Sequence, residues 1–185
     1  TMYNTEIKRV LLDNMVKGKN DRLKVNASGV DAIIDEMIRA LQNMSKNIIG
    51  ALIVLSNDNL PENIIESGTI VNSEITAQMI ETIFYPKTPL HDGAMIVEGS
   101  KIYAAGCFLP LAQSDNLPKD MGSRHRAALG VTSVASVTSL VVSEETGIIS
   151  IVKNGVIKKK YADAADLKNA LSDYYWDDLA AEAKD

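Results

Sequence analysis

Apolar residues recur along this chain in two rhythms, and the change from one to the other marks where helices give way to strands. Over residues 4–17, Ile7, Val10, Leu11 and Met15 fall at helical spacing with Gly18 as a stop, which predicts a peripheral helix. Val30, Ile33, Ile34, Met37, Leu41 and Met44 form a clearer stripe, with Asp31, Asp35, Glu36 and Arg39 on the other, solvated faces. The apolar run 51–55, bounded by Gly50 and by Ser56-Asn57-Asp58-Asn59, has the pattern of a buried strand. A polar loop then leads to a brief strand near residues 69–71. Ser73 is placed to cap a helix that carries Ile75, Met79, Ile80 and Ile83, and Pro86 ends it.

Beyond Pro86 the period is that of strands. Residues 94–98, a Gly99-Ser100 turn and residues 101–109 predict a hairpin. Residues 140–143 and 148–153 are strand-like, and Asn154-Gly155 supplies left-handed dihedrals for a tight turn before residues 156–161. A last helix from about Ala164 carries Leu167, Leu171, Tyr174 and Leu179, with Tyr174-Tyr175-Trp176 as core or as a capping patch. The expected fold class is α/β: a mixed central β-sheet with hairpins, flanked by helices. It is a sandwich rather than a doubly wound fold, because hairpins take the place of strand-helix-strand crossovers.

At 185 residues, 46% apolar and 23% charged, with no repeat or linker, the chain is sized for one domain. Its core is expected over about residues 30–161, between an N-terminal helical extension (1–29) and a C-terminal helix (162–185). The single Cys107 cannot form an internal disulfide and is expected to pack as a small hydrophobe in a reduced, cytosolic setting. No stretch nears the roughly 18 apolar residues of a membrane helix, and no leader opens the chain, so a soluble, cytoplasmic domain is expected. Thr1-Met2 reads as a tag remnant ahead of an internal or native start, which leaves room for a membrane anchor upstream.

Charge changes this picture. The net −5 argues against indiscriminate binding to nucleic acid, yet residues 101–161 hold eight Lys/Arg against four Asp/Glu. A basic middle in an acidic chain suits a small polyphosphate better than a long polyanion.

Three clusters carry candidate chemistry. Pro86-Lys87-Thr88-Pro89-Leu90-His91-Asp92-Gly93-Ala94 sets an ionisable pair on a proline-framed turn before a strand. There Asp92 could accept a proton or orient a hydroxyl, and Gly93 would let a ligand approach the backbone; a turn held by an Asp side chain explains the same residues. Gly122-Ser123-Arg124-His125-Arg126-Ala127-Ala128-Leu129-Gly130 opens a helix whose backbone donors and guanidinium groups favour a phosphate, against the alternative of solvated arginines. Arginine at a helix start opposes the helix dipole, a conflict that a functional site tolerates. Val141-Val142-Ser143-Glu144-Glu145-Thr146-Gly147 ends a strand in adjacent acids, which form either a polar turn or, with His91 and Asp92, ligands for a divalent metal bound jointly with the phosphates of a ligand. Lys158-Lys159-Lys160 reads as a solvated strand end.

Asp92-Gly93-Ala94 and Arg124-His125-Arg126 resemble the two signature motifs of the bacterial diadenylate cyclase family. Thr88-Pro89-Leu90-His91, Ala105-Gly106-Cys107-Phe108-Leu109-Pro110, Gly122-Ser123 and Val142-Ser143-Glu144-Glu145-Thr146-Gly147 extend the likeness in the same order, from about Val30 to Tyr161. The resemblance implies an enzyme that condenses two ATP into cyclic di-AMP at a face-to-face homodimer interface. It implies Asp92 near the ribose 3′-hydroxyl, with Gly93, Arg124 and His125 completing the catalytic set. Phe108, Leu109, Ser123, Arg124, His125, Arg126, Ser143 and Glu144 would bind ATP, and His91 and Glu145 would hold Mg2+ or Mn2+. It further implies a membrane tether and membrane-associated regulatory proteins for related chains. The sequence departs from the family at Ser133 and Ser136, where acidic residues are expected, at Ser123 for threonine and at Phe108 for tyrosine. A nucleotide sensor without chemistry, or an interaction domain dependent on a partner, are the competing classes.

Overall fold

The computed structural model describes residues 27–113 and 117–182, so the helix expected over residues 4–17 lies outside the described residues. In chain order the elements are α1 (Ala27–Lys46), β1 (Ala51–Ser56), α2 (Glu62–Glu66), β2 (Thr69–Glu74), α3 (Ala77–Phe84), β3 (Ala94–Glu98), β4 (Lys101–Cys107), α4 (Ser123–Val134), β5 (Thr138–Val142), β6 (Ile149–Lys153), β7 (Val156–Lys159) and α5 (Ala164–Glu182). The described strands form a seven-stranded sheet of order β2-β4-β3-β1-β5-β6-β7.

Every residue of β1 is buried, which requires a covered face on both sides. Ala51, Ile53 and Leu55 join one core cluster with Met37, Leu41 and Met44 of α1, Ile80 of α3 and Leu167 of α5. Leu52 and Val54 join a second with Ile64 of α2 and Ala128 and Val131 of α4. The period of 2 along the strand thus feeds two helical layers, and full burial of each such aliphatic side chain contributes about 1.5–3 kcal/mol. Cys107 lies in the second cluster, where burial pushes its thiol up to about 11 and keeps it protonated.

The hairpins β3-β4 and β6-β7 form as the turn signals predict, with Asn154 and Gly155 at φ values of 55° and 72°, and β5 pairs with β6 in antiparallel fashion between them. The stripe of α1 and the start of α5 at Ala164 also match; Asp166 N–H donates to Asp163 Oδ1 at 2.8 Å, and Asp163 N–H to Asp166 Oδ2 at 3.1 Å. Hairpins do not replace every crossover, however. β3 pairs with β1 in parallel, and the chain between them passes through α2, β2 and α3.

Local corrections follow from backbone detail. β2 runs on to Glu74 across an irregularity between Ile70 and Ser73, with Asn72 at φ 47°, so Ser73 belongs to the strand. The cap of α3 is Thr76, whose extended backbone lets its hydroxyl accept from Met79 N–H at 3.1 Å. The loop after β1 contains α2, one short turn that offers too few positions for a periodic signal. β4 ends at Cys107, β5 spans Thr138–Val142, and β7 stops at Lys159.

Tyr174-Tyr175-Trp176 is buried core with polar ties: the Tyr174 hydroxyl donates to Ser56 O at 2.6 Å and accepts from Gly99 N–H at 3.0 Å. The buried Ser139 hydroxyl, by contrast, has no hydrogen-bond partner among the described residues. Urea unfolding should therefore separate two single-atom deletions. Tyr174→Phe should lose about 1–3 kcal/mol, because buried partners are left unpaired, whereas Ser139→Ala should be neutral or stabilising.

Candidate active site

Strand register decides which loops meet. Ile53 pairs with Met95 in parallel, while Ala51 pairs with Val142 and Ala94 with Cys107 in antiparallel fashion. The residues just outside those pairs therefore gather at one end of the sheet: Gly50 before β1, His91-Asp92-Gly93 before β3, Phe108-Leu109 after β4 and Ser143-Glu144-Glu145 after β5. Two of the four segments are those picked out in the sequence as chemistry-bearing, a third holds the residues that the family resemblance assigns to the base, and Gly50 stood out only as a strand boundary.

The His91 turn is built from its own backbone. Thr88 O lies 2.7 Å from His91 Nδ1, and a carbonyl can only accept, so Nδ1 is the donor and Nε2 is the nitrogen left to face a ligand. Asp92 is exposed. Gly93 has φ 103°, and a Cβ there would come within 2.8 Å of the Gly106–Cys107 backbone. Its bare α-carbon thus admits close approach by β4.

Phe108 is 64% exposed, an apolar ring presented to solvent at the sheet end. Its N–H donates to Ser67 Oγ at 2.9 Å, and Ser67 Oγ in turn donates to Ile64 O at 2.6 Å, so the end of α2 fixes the ring's backbone. Ala112 N–H donates to Arg126 O at 3.0 Å and ties the following segment to α4. Ser67 carried no sequence signal beyond a Ser-Gly pair.

Arg124 reaches the same sheet end from α4. Its Nη1 donates to Glu144 Oε2 at 2.9 Å; the side chain is 14% exposed, and its Nε is buried with no partner among the described residues. A buried guanidinium N–H without an acceptor costs free energy that an anion would recover. The α4 N-terminus adds to this: Gly122, its N-cap, offers no side-chain cap, and no acidic residue occupies the first turn. Ser123 is exposed beside it. Ser143 Oγ accepts from the N–H groups of Glu145 and Thr146 at 3.2 Å each, holding the acidic turn in shape.

Residues 38–157 match the DAC family, described as the DisA bacterial checkpoint controller nucleotide-binding family. The chain belongs to that family. Cyclic di-AMP synthase CdaA of Bacillus subtilis (strain 168) is 39% identical over 132 residues, covering 71% of this chain and 48% of its own length. Diadenylate cyclase of Listeria monocytogenes serotype 1/2a (strain 10403S) is 46% identical over 123 residues, 66% of this chain and 45% of its own. The chain thus spans just under half the length of these curated relatives. A cysteine double mutant of DacA from Staphylococcus aureus superposes with a TM-score of 0.77 at 36% identity, covering 81% of this chain and 99% of that one. A hypothetical membrane spanning protein from Bacillus cereus superposes at 0.65 with 40% identity, over 69% of this chain and 63% of that one. Among the described residues of this DAC domain, no helix is long and apolar enough to cross a membrane.

The side chains of the Arg124-His125-Arg126 triplet of the DAC domain do not share one surface. Side chains two positions apart on a helix point in different directions, and Arg126 is exposed where Arg124 is largely covered. His125 is buried, with Asp120 and Lys160 as its charged neighbours. Lys160 Nζ pairs with Asp120 Oδ2 at 3.1 Å and lies 5.4 Å from the Tyr161 ring centroid, so part of the lysine run is tied down. The departures at Ser133 and Ser136 fall elsewhere: Ser133 Oγ donates to Leu129 O and lies against Gly155 in the β6-β7 turn, while Ser136 O accepts from Asn59.

A divalent ion can be tested against the donors present. Among the described residues no three His, Cys, Asp or Glu side chains gather closely enough to hold one. His91 nonetheless presents Nε2 in the tautomer that metal-ligating histidines adopt when a carbonyl holds the other nitrogen. A donor set this sparse fits an ion that draws the rest of its shell from phosphate oxygens and water, as magnesium does.

Burial pulls the His125 imidazole below its ordinary value; Asp120 opposes that shift and Lys160 reinforces it. The unfolded chain then binds a proton near pH 6.5 that the folded chain refuses, so stability is lost as pH falls below about 6.5. His125→Gln should flatten the slope of unfolding free energy between about pH 7 and 5, measured by urea titration at each pH. A slope unchanged by that substitution would place the titration elsewhere.

Proposed function

We propose that this DAC domain is a diadenylate cyclase that joins two ATP molecules into cyclic di-AMP with release of two pyrophosphates. The observation that carries the reading is the meeting, at one sheet end, of an exposed carboxylate, an exposed aromatic ring and a guanidinium with an unused buried donor. Relatives named for this activity over the same stretch support it.

Each part has one task. Phe108 and Leu109 take the adenine, and Ser143 and Glu144 the ribose side. Ser123 and Arg124, with the uncapped N–H groups of α4, hold the phosphates, while His125 packs behind that helix start. Asp92, next to Gly93, accepts the proton of the ribose 3′-hydroxyl as that oxygen attacks the α-phosphorus of the second ATP. The bond from that phosphorus to the β-phosphate oxygen breaks, and pyrophosphate leaves with the electron pair. The reciprocal attack closes the ring. Mg2+ or Mn2+, held by His91 and Glu145 together with phosphate oxygens, would supply charge neutralisation. Two copies face each other about a two-fold axis, so that each contributes half of the reaction centre. The domain works on the cytoplasmic side of a membrane-tethered protein and meets regulatory partners there; the name of the Bacillus cereus neighbour, a membrane spanning protein, supports the tether alone.

Mass spectrometry of purified protein incubated with ATP and manganese should detect cyclic di-AMP, at a rate per subunit that rises with protein concentration. Asp92→Asn should cut the rate by about 10²–10⁴-fold while ATP still binds. A near-native rate in that variant would remove Asp92 from the chemistry. ATP bound without product in the unaltered protein would instead identify a nucleotide sensor.

A further inference from the structure

We propose that Gly50 is a positioning residue for Arg124: the side chain it lacks leaves the slot in which the guanidinium lies against the sheet end. The inference rests on the phosphate-binding role given to Arg124 above.

Gly50 is buried, one residue before β1, and Ala51 beside it pairs with Val142 at the end of β5. Its backbone does not require glycine. Gly147 and Gly155 have φ values of 76° and 72°, in the left-handed region that other residues avoid, whereas Gly50 lies outside that region. The reason for glycine at this position is therefore space. A Cβ built there would sit 2.8 Å from Arg124 Cζ, 2.9 Å from Arg124 Nη1 and 2.8 Å from Glu144 Cβ. All three distances fall well inside the roughly 3.5–4.0 Å optimum for heavy-atom contact.

Those atoms belong to two residues, both in the candidate site and joined to each other at 2.9 Å. Other tight glycines differ: Gly68 is closed in by Cys107 and the Ala105 carbonyl, and Gly130 by the Pro110 backbone, so there a methyl group would strain the fold itself. At Gly50 both neighbours must give: the guanidinium, at the far end of a flexible side chain, swings away, and the acidic turn that carries Ser143, Glu144 and Glu145 shifts slightly to free Glu144 Cβ. The larger loss falls on Arg124, and so on the site more than on the core. A planar guanidinium suits a slot floored by a bare peptide, and Arg124 Nε is sheltered there.

A two-residue cycle on the full chain tests this, with Gly50→Ala, Arg124→Ala and the double variant compared by equilibrium ATP titration and by thermal unfolding. Gly50→Ala should weaken ATP binding about tenfold or more, as loss of a charged hydrogen bond does, and the double variant should bind no worse than Arg124→Ala alone. The alanine methyl should also lower the unfolding midpoint less when Arg124 is absent. Wild-type ATP affinity in Gly50→Ala, or losses that multiply in the double variant, would overturn the proposal. If Gly50→Ala does not fold, restoration by Arg124→Ala supports the shared slot, and failure to restore overturns it. Should the unaltered protein bind no ATP, the functional reading fails, while the stability cycle alone still decides whether the two residues compete for one space.

Discussion

β1 has no face to give to water: Leu52 and Val54 pack under α2 and α4, and Ala51, Ile53 and Leu55 pack under α1, α3 and α5. Only its ends are open, so any ligand site near the centre of the molecule must be made of loops leaving strand ends. Parallel pairing with β3 and antiparallel pairing with β5 then determine which loops those are. His91 and Asp92 enter β3 where Glu144 and Glu145 leave β5, and the β3-β4 hairpin brings Phe108 back to the same edge. The candidate site is thus a consequence of register, and a shift of one residue in β1 would turn its aliphatic side chains to the wrong layers.

The Arg124–Glu144 pair sets the electrostatic character of that edge. Glu144 is 60% exposed, so the pair is screened and worth about 0–1 kcal/mol, too little to hold the arginine against a competing phosphate. Arg124, at 14% exposure, has given up much of its hydration and gains from any anion that satisfies Nε as well as Nη1. A carboxylate that engages one guanidinium nitrogen is consistent with a charge kept in place between ligands.

Much of the fold was legible because burial leaves a period. The stripe from Val30 to Met44, the run before Ser56 and the Asn154-Gly155 turn each followed from side-chain spacing or positive φ. What escaped was set by contacts distant in sequence or by short elements. Thr76 rather than Ser73 caps α3 because β2 continues through an irregularity that no local pattern announces. α2 is a single short helix, and its neighbour Ser67 matters only because Phe108 folds back onto it. At the site, Asp92-Gly93 and Arg124 were legible as motifs. The link from Arg124 to Glu144 and Gly50 was not, since the three lie on separate elements and meet only through the sheet. His125 shows the reverse limit: adjacency in a motif suggested a shared task, while helical geometry turns it toward the core.

The proposed reaction adds a constraint that a lone domain does not meet. Asp92, Phe108 and Arg124 all serve one end of one sheet, enough for a single nucleotide, but ring closure needs two 3′-oxygens and two α-phosphates in reciprocal alignment. A domain that formed the first bond alone would have to release a linear dinucleotide and rebind it the other way round. Opposed copies avoid that step, because the second hydroxyl is already held beside its target when the first bond forms, and such proximity substitutes for a large effective concentration. Two-fold symmetry also makes both attacks equivalent, so one carboxylate and one arginine per chain suffice for two bonds.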